Sequence, residues 1–200
     1  MTDRAFQHLR RADPALGPWI DRAGECPIRV REPLPDLFGT LASCILSQQL
    51  SGKAAATITR RLCDLCGDPD AMPQPQQILA LGVEEMRAVG VSRPKAHYLL
   101  GLAAHPLPST DDLVELSDEE VIEALTTVKG IGRWSVEMLL MFDLGRPDIL
   151  PVDDVGVRNG MRIVYELDSN PTKREMIARA TPWAPYRSFG SWLMWEALRG

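Results

Sequence analysis

The sequence predicts an all-α protein of about ten short helices. Apolar residues recur at helical spacing, and good N-capping residues stand where those stretches begin. No strand-like alternation with hairpin turn chemistry stands out. Phe38, Leu41, Ala42, Ile45 and Leu46 fall on one face of a helix. Ser51 follows as the cap of a helix through Leu65. Ser117 and Glu120 form a capping box, with Val121, Ile122, Leu125 and Val128 as the stripe behind it. Punctuation separates these stretches at Pro33-Leu34-Pro35, Gly67-Asp68-Pro69, Pro73-Gln74-Pro75, His105-Pro106-Leu107-Pro108 and Asn170-Pro171. There are no internal repeats and no low-complexity linkers.

The chain has 200 residues, 45% hydrophobic and 24% charged, enough for one large domain or two small lobes. No apolar run is long enough to span a membrane. Met1-Thr2-Asp3-Arg4-Ala5-Phe6 has no signal-peptide core, so a cytoplasmic protein is expected. The cysteines are Cys26, Cys44, Cys63 and Cys66. Cys63 and Cys66 form a C-x-x-C pair, but a zinc or iron–sulfur site needs four ligands, and buried packing is the better reading. The net charge of −5 argues against a general nucleic-acid binder. From Ala124 to Gly200, however, ten Lys or Arg stand against nine Asp or Glu, so most of the acidity lies upstream. Counterion release depends on where cations sit, so any nucleic-acid footprint should be compact.

The most informative segment is Leu125-Thr126-Thr127-Val128-Lys129-Gly130-Ile131-Gly132-Arg133-Trp134-Ser135. An amphipathic helix ends at Val128. Gly130 and Gly132 flank one aliphatic residue, Ile131, which should tuck between this helix and the strongly apolar one that follows. Glycine N–H groups then face outward at a helix start, where a DNA phosphate fits, with Lys129 and Arg133 at the edge. An ordinary αα-turn is the plain alternative. The hairpin carbonyls of Thr126, Val128 and Ile131 offer oxygens to a monovalent cation, though no metal is required.

Downstream comes Leu150-Pro151-Val152-Asp153-Asp154-Val155-Gly156-Val157-Arg158. Either Asp153 or Asp154 can cap a helix running toward Tyr165. A carboxylate there is kept ionised by the helix dipole and can face a developing positive charge. Residue chemistry does not choose between the two.

A Gly-Ile-Gly hairpin followed by Pro-x-Asp-Asp resembles the helix-hairpin-helix, Gly/Pro-rich, Asp superfamily of base-excision glycosylases. Ile45-Leu46-Ser47-Gln48-Gln49-Leu50-Ser51, Gly130-Ile131-Gly132-Arg133-Trp134, Leu150-Pro151-Val152-Asp153-Asp154 and Trp183-Ala184-Pro185-Tyr186-Arg187-Ser188 are similar to the AlkA-type 3-methyladenine DNA glycosylase II family. The resemblance implies two helical lobes with the active-site cleft between them. One is a six-helix barrel over residues 35–150 that contains the hairpin. The other is built from residues 1–34 and 151–200 and carries the carboxylate. It also implies Asp154 as the catalytic aspartate.

Two departures narrow the activity. Trp134 stands where bifunctional members carry a Schiff-base lysine, so strand cleavage is not expected. No cysteine follows Cys66, so the four-cysteine iron–sulfur cluster of other members is not expected either, and no cofactor is implied. The chain looks like the short, all-helical version, without the extra N-terminal domain of larger AlkA-type enzymes.

A base-modifying enzyme must also flip its base into a pocket. Trp134, Trp192 and Trp195 are aromatic candidates, suited to cationic alkylated bases. Met138 replaces a family tyrosine, which puts the substrate range in question. Gln48-Gln49-Leu50-Ser51 forms a corner whose Gln49 or Leu50 could fill the gap in the duplex, and a plain turn is the alternative. Ser92, Arg93 and Lys95 begin another helix and could grip a strand, or form a solvated helix start. Arg187 could orient the carboxylate or contact a phosphate. The expected partner is duplex DNA with alkylated bases, bound by a monomer. The rivals are a non-catalytic DNA-damage binder and a glycosylase for oxidised or mismatched bases.

Overall fold

The computed structural model describes residues 1–28 and 36–199. Every regular element among them is helical, as expected. The residues group into two compact units, Met1–Glu32 with Glu137–Gly200, and Pro33–Val136.

The second unit holds α3 (Leu37–Ser47), α4 (Gly52–Leu65), α5 (Pro75–Leu79), α6 (Val83–Ala88), α7 (Arg93–Ala104), α8 (Thr110–Glu115) and α9 (Asp118–Thr126), after α1 (Thr2–Ala12) and α2 (Gly17–Arg22) of the first. The unit edge falls within α10 (Arg133–Met138). Then come α11 (Val155–Val164), α12 (Lys173–Ala180) and α13 (Arg187–Ala197). More helices form than expected because several span only five or six residues, too few to display a full apolar period.

Local chemistry explains the starts. Asp36 accepts from Gly39 N at 2.9 Å and Ser51 Oγ from Ala54 N at 3.3 Å. Ser109 with Asp112, Ser117 with Glu120, and Thr172 with Glu175 close capping boxes. The apolar stripes then meet. Leu41, Ile45, Leu62, Ile78, Met86, Leu99 and Leu125 are buried in the second unit, and Leu9, Leu16, Met161, Trp183 and Phe189 in the first. After Met138 the helix widens into a π-turn over Leu139–Asp143, closed by Leu144 N donating to Leu139 O at 2.9 Å.

The division at 136/137 differs from the expected one at 150/151. Residues 146–149 are clasped by the start of α13. Ser188 N donates to Pro147 O at 2.9 Å, Ile149 N to Ser188 Oγ at 2.9 Å, and Ser188 Oγ to Arg146 O at 2.7 Å. Pro151 ends a segment without ending a unit. The other expected edge, 34/35, lies outside the described residues, as does Pro33-Leu34-Pro35. No helix is long and apolar enough to cross a membrane.

Candidate active site

The hairpin forms as the glycine pattern requires. Val128 and Ile131 are buried, Val128 N donates to Leu125 O at 3.2 Å, and Ile131 N to Val128 O at 3.0 Å. The two glycines differ in what they do. Gly130 has φ +97°, and a Cβ there would lie 2.5 Å from Tyr98 Cγ. Gly132 is exposed, and a Cβ on it would stand in open space. The glycine therefore leaves its backbone uncovered on that side. Lys129 is exposed beside it. Arg133 closes a fork on Glu119, with contacts of 2.7 and 2.8 Å.

The 48–50 corner sits against the hairpin. Gln48 Nε2 donates to Gly130 O at 2.8 Å. Gln49 is exposed with φ 56°, and Leu50 is 40% exposed. Lys95 departs from the expected strand grip, because its Nζ turns inward to Leu46 O and Gln48 O, both at 2.7 Å. Burial holds that ammonium below the usual lysine range. Arg93 pairs with Glu84 at 2.7 Å on the surface, and Ser92 caps α7 without a side-chain bond to it.

In the other unit the aspartates separate. Asp154 is the N-cap of α11, and Val157 N donates to its Oδ1 at 2.7 Å. Trp195 Nε1 donates to the same oxygen at 2.9 Å. Asp153 is exposed and pairs with Lys173. One aspartate thus both caps the helix and meets a pocket candidate. The Trp195 ring also lies 5.8 Å from Phe142, centroid to centroid.

Trp192 departs from the pocket expectation. It is 4% exposed and stacks on Phe6 with centroids 5.9 Å apart, which makes it core. Trp134 is 44% exposed in α10, and Met138, one turn on, is half-buried. Arg187 grips Asp148 through Nε at 2.8 Å and Nη2 at 2.7 Å, and its backbone N–H donates to the same carboxylate at 3.1 Å.

Sequence reasoning missed Gly156. A Cβ there would lie 2.7 Å from Trp195 Cδ1 and 2.9 Å from Asp154 Oδ1. A glycine in the first turn of a helix, about 1 kcal/mol worse than alanine, was the available signal of a close neighbour. Tyr98 and Asp148 gave no such signal.

All four cysteines are free thiols, and burial pushes Cys63 and Cys66 up. No group of three or more His, Cys, Asp or Glu among the described residues could hold a metal ion. The carbonyls of Thr126, Val128 and Ile131 are neutral oxygen donors of the kind a hard cation takes. The Val128 oxygen already accepts one N–H.

The family model for "HhH-GPD superfamily base excision DNA repair protein" matches residues 42–185. The alkylbase DNA glycosidase-like protein mag2 of Schizosaccharomyces pombe is 32% identical over 96% of this chain and 92% of its own length. DNA-3-methyladenine glycosylase 1 of the same yeast is 38% identical over 84% of this chain and 74% of its own. The solved structure of the S. pombe 3-methyladenine DNA glycosylase Mag1 in complex with abasic DNA superposes with a TM-score of 0.83 at 34% identity, covering 96% of this chain and 95% of that one. A hairpin built on Gly130 and Gly132, a capping aspartate downstream and these matches lead to one conclusion: the chain belongs to the HhH-GPD superfamily of base-excision DNA repair proteins.

Proposed function

We propose that the protein is a monofunctional DNA glycosylase that hydrolyses the N-glycosidic bond of alkylated purines in duplex DNA. The observation that carries this is the doubly held Asp154 carboxylate, gripped at Oδ1 by Val157 N–H and Trp195 Nε1–H. Similarity to proteins named for 3-methyladenine excision points the same way.

The base is flipped out of the stack, and Gln49 or Leu50 enters the gap. The bare Gly132 backbone and the Lys129 charge seat the phosphates. Met138 and Trp195 line the pocket, where the indole face attracts a cationic base. As the glycosidic bond stretches, positive charge develops on the deoxyribose. Asp154, already fixed in orientation, stabilises it without reorganising. The same carboxylate orients the attacking water and takes its proton. Trp134 has no amine to form a Schiff base, so the reaction stops at an abasic site. The chemistry needs no cofactor and no second copy of the chain. A monovalent cation on the hairpin carbonyls would strengthen the phosphate seat. The cytoplasm, on the nucleoid, is where such an activity belongs.

The test is single-turnover incubation with duplexes bearing N3- and N7-alkylpurines, 1-methyladenine or ethenoadenine, with chromatography of the released bases. Asp154→Asn should lower release by at least ~100-fold while duplex binding persists. Unimpaired release by that variant would overturn the role of Asp154. Lesion binding with no release by the unsubstituted chain would instead favour a non-catalytic damage binder.

A further inference from the structure

We propose that Gln48 and Lys95 are positioning residues that lock the 48–50 turn to the glycine hairpin, so that turn insertion and backbone seating occur as one event. The inference rests on the glycosylase reading and adds residues that do not themselves touch DNA.

The contacts form a closed circuit within one unit. α3 ends at Ser47, and its last carbonyls need donors. Lys95 supplies them, reaching Leu46 O and Gln48 O at 2.7 Å each. The side chain of Gln48 then crosses to the hairpin and donates to Gly130 O at 2.8 Å. Gly130 rests on the ring of Tyr98. Tyr98 lies three residues after Lys95 on α7, so both project from one helix face. A single face of α7 therefore holds the turn with one residue and the hairpin with the other, and Gln48 ties the two together directly.

The circuit keeps features that ordinary packing would avoid. A half-buried lysine caps a helix end that a glycine or solvent could finish. Gln49, immediately after the anchored Gln48, holds a left-handed backbone with φ 56° that non-glycine residues seldom adopt. Such outliers gather where a conformation is held ready for use. The outcome is that Gln49 and Leu50 stand exposed at a corner that cannot swing independently of the hairpin.

The experiment compares two substrates. In one, the lesion is paired in a duplex, so insertion must pry it out. In the other, the lesion sits opposite an abasic analogue and is already loosened. Gln48→Ala should slow single-turnover excision of the paired lesion by about tenfold, the effect of one hydrogen bond on a rate. The deficit on the loosened lesion should be at least about fivefold smaller. Lys95→Met should behave alike, and Lys95→Arg, which can still donate to both carbonyls, should restore much of the paired rate. Fluorescence of 2-aminopurine placed beside the lesion reads insertion without any bond cleavage, and its amplitude should fall in Gln48→Ala and Lys95→Met. Equal deficits on both substrates, or unchanged 2-aminopurine amplitudes, would overturn the positioning role. If the unsubstituted chain releases no base at all, the glycosylase reading falls, and the 2-aminopurine amplitudes alone decide the brace.

Discussion

Replacing Gly156 with alanine should abolish most excision while lowering the melting temperature by only a few degrees. A Cβ at that position would stand 2.7 Å from Trp195 Cδ1, 2.8 Å from Trp195 Nε1 and 2.9 Å from Asp154 Oδ1. Ordinary van der Waals contact begins near 3.4 Å, so the indole must retreat by ~0.7 Å. The methyl enters beside the 2.9 Å bond between Trp195 and Asp154 and drives its ends apart. Losing one hydrogen bond to a charged group costs about 1.5–3 kcal/mol, which corresponds to a rate loss between ~10-fold and ~150-fold. On the stability side the same loss is offset only in part, leaving a net cost of about 0.5–2 kcal/mol. Both neighbours are side chains that can move, and alanine is the better helix former by about 1 kcal/mol. Gly160, one turn on, supplies the contrast. Its Cβ would meet the Met194 carbonyl oxygen at 2.1 Å, and backbone cannot step aside. Gly160→Ala must push α11 from α13, at about 1–3 kcal/mol, with a fall of ~2–4 °C in Tm for each kcal/mol. Single-turnover base release and thermal melts by circular dichroism separate the two variants. A Gly156→Ala protein with full excision rate would refute the claim that Trp195 holds Asp154 for chemistry.

Two further predictions use the same measurements. Gly130→Ala should melt markedly lower, since it meets both a positive φ and the Tyr98 ring, whereas Gly132→Ala should melt normally and lose duplex affinity in a binding titration. Burial, together with donation of its hydroxyl to Asp13, pushes Tyr165 above the ordinary tyrosine range. Its neutral form is thus favoured by folding, so this contribution to stability is complete below the unfolded value of about 10 and declines as pH rises beyond it. Melts across the alkaline range should show Tm falling above about pH 10, and less steeply in Tyr165→Phe.

Features set by neighbours in sequence were legible, and features set by distant partners were not. The hairpin could be read because two glycines around Ile131 constrain the backbone locally. The caps at Ser51 and Ser117 could be read for the same reason. Lys95 and Arg93 show only that cations begin a helix. Whether Nζ faces solvent or Leu46 O depends on a residue in another helix. Trp192 and Trp195 share one helical pattern and differ only in what lies opposite, Phe6 for one and Asp154 for the other. Asp153 and Asp154 are equal as caps until Lys173 claims the first and Trp195 the second. The edge at 136/137 was hidden because nothing in residues 137–150 announces that Ser188 will clasp them.

The proposed sharing of Asp154 between folding and chemistry decides which substitution is informative. Its Oδ1 closes the first turn of α11 and also receives the indole N–H. Alanine removes cap and charge together, costing about 1 kcal/mol from the cap alone. Asparagine caps as well as aspartate does, and its amide oxygen can accept both N–H groups. Only the negative charge is lost, with at most ~1 kcal/mol of dipole stabilisation. Asp154→Asn should therefore melt within ~4 °C of the unsubstituted protein and yet fail to release base. Asp153→Asn breaks only an exposed pair with Lys173 and should keep its excision rate. An inactive Asp153→Asn beside an active Asp154→Asn would move the chemistry to the other aspartate and leave Trp195 merely packing against a cap.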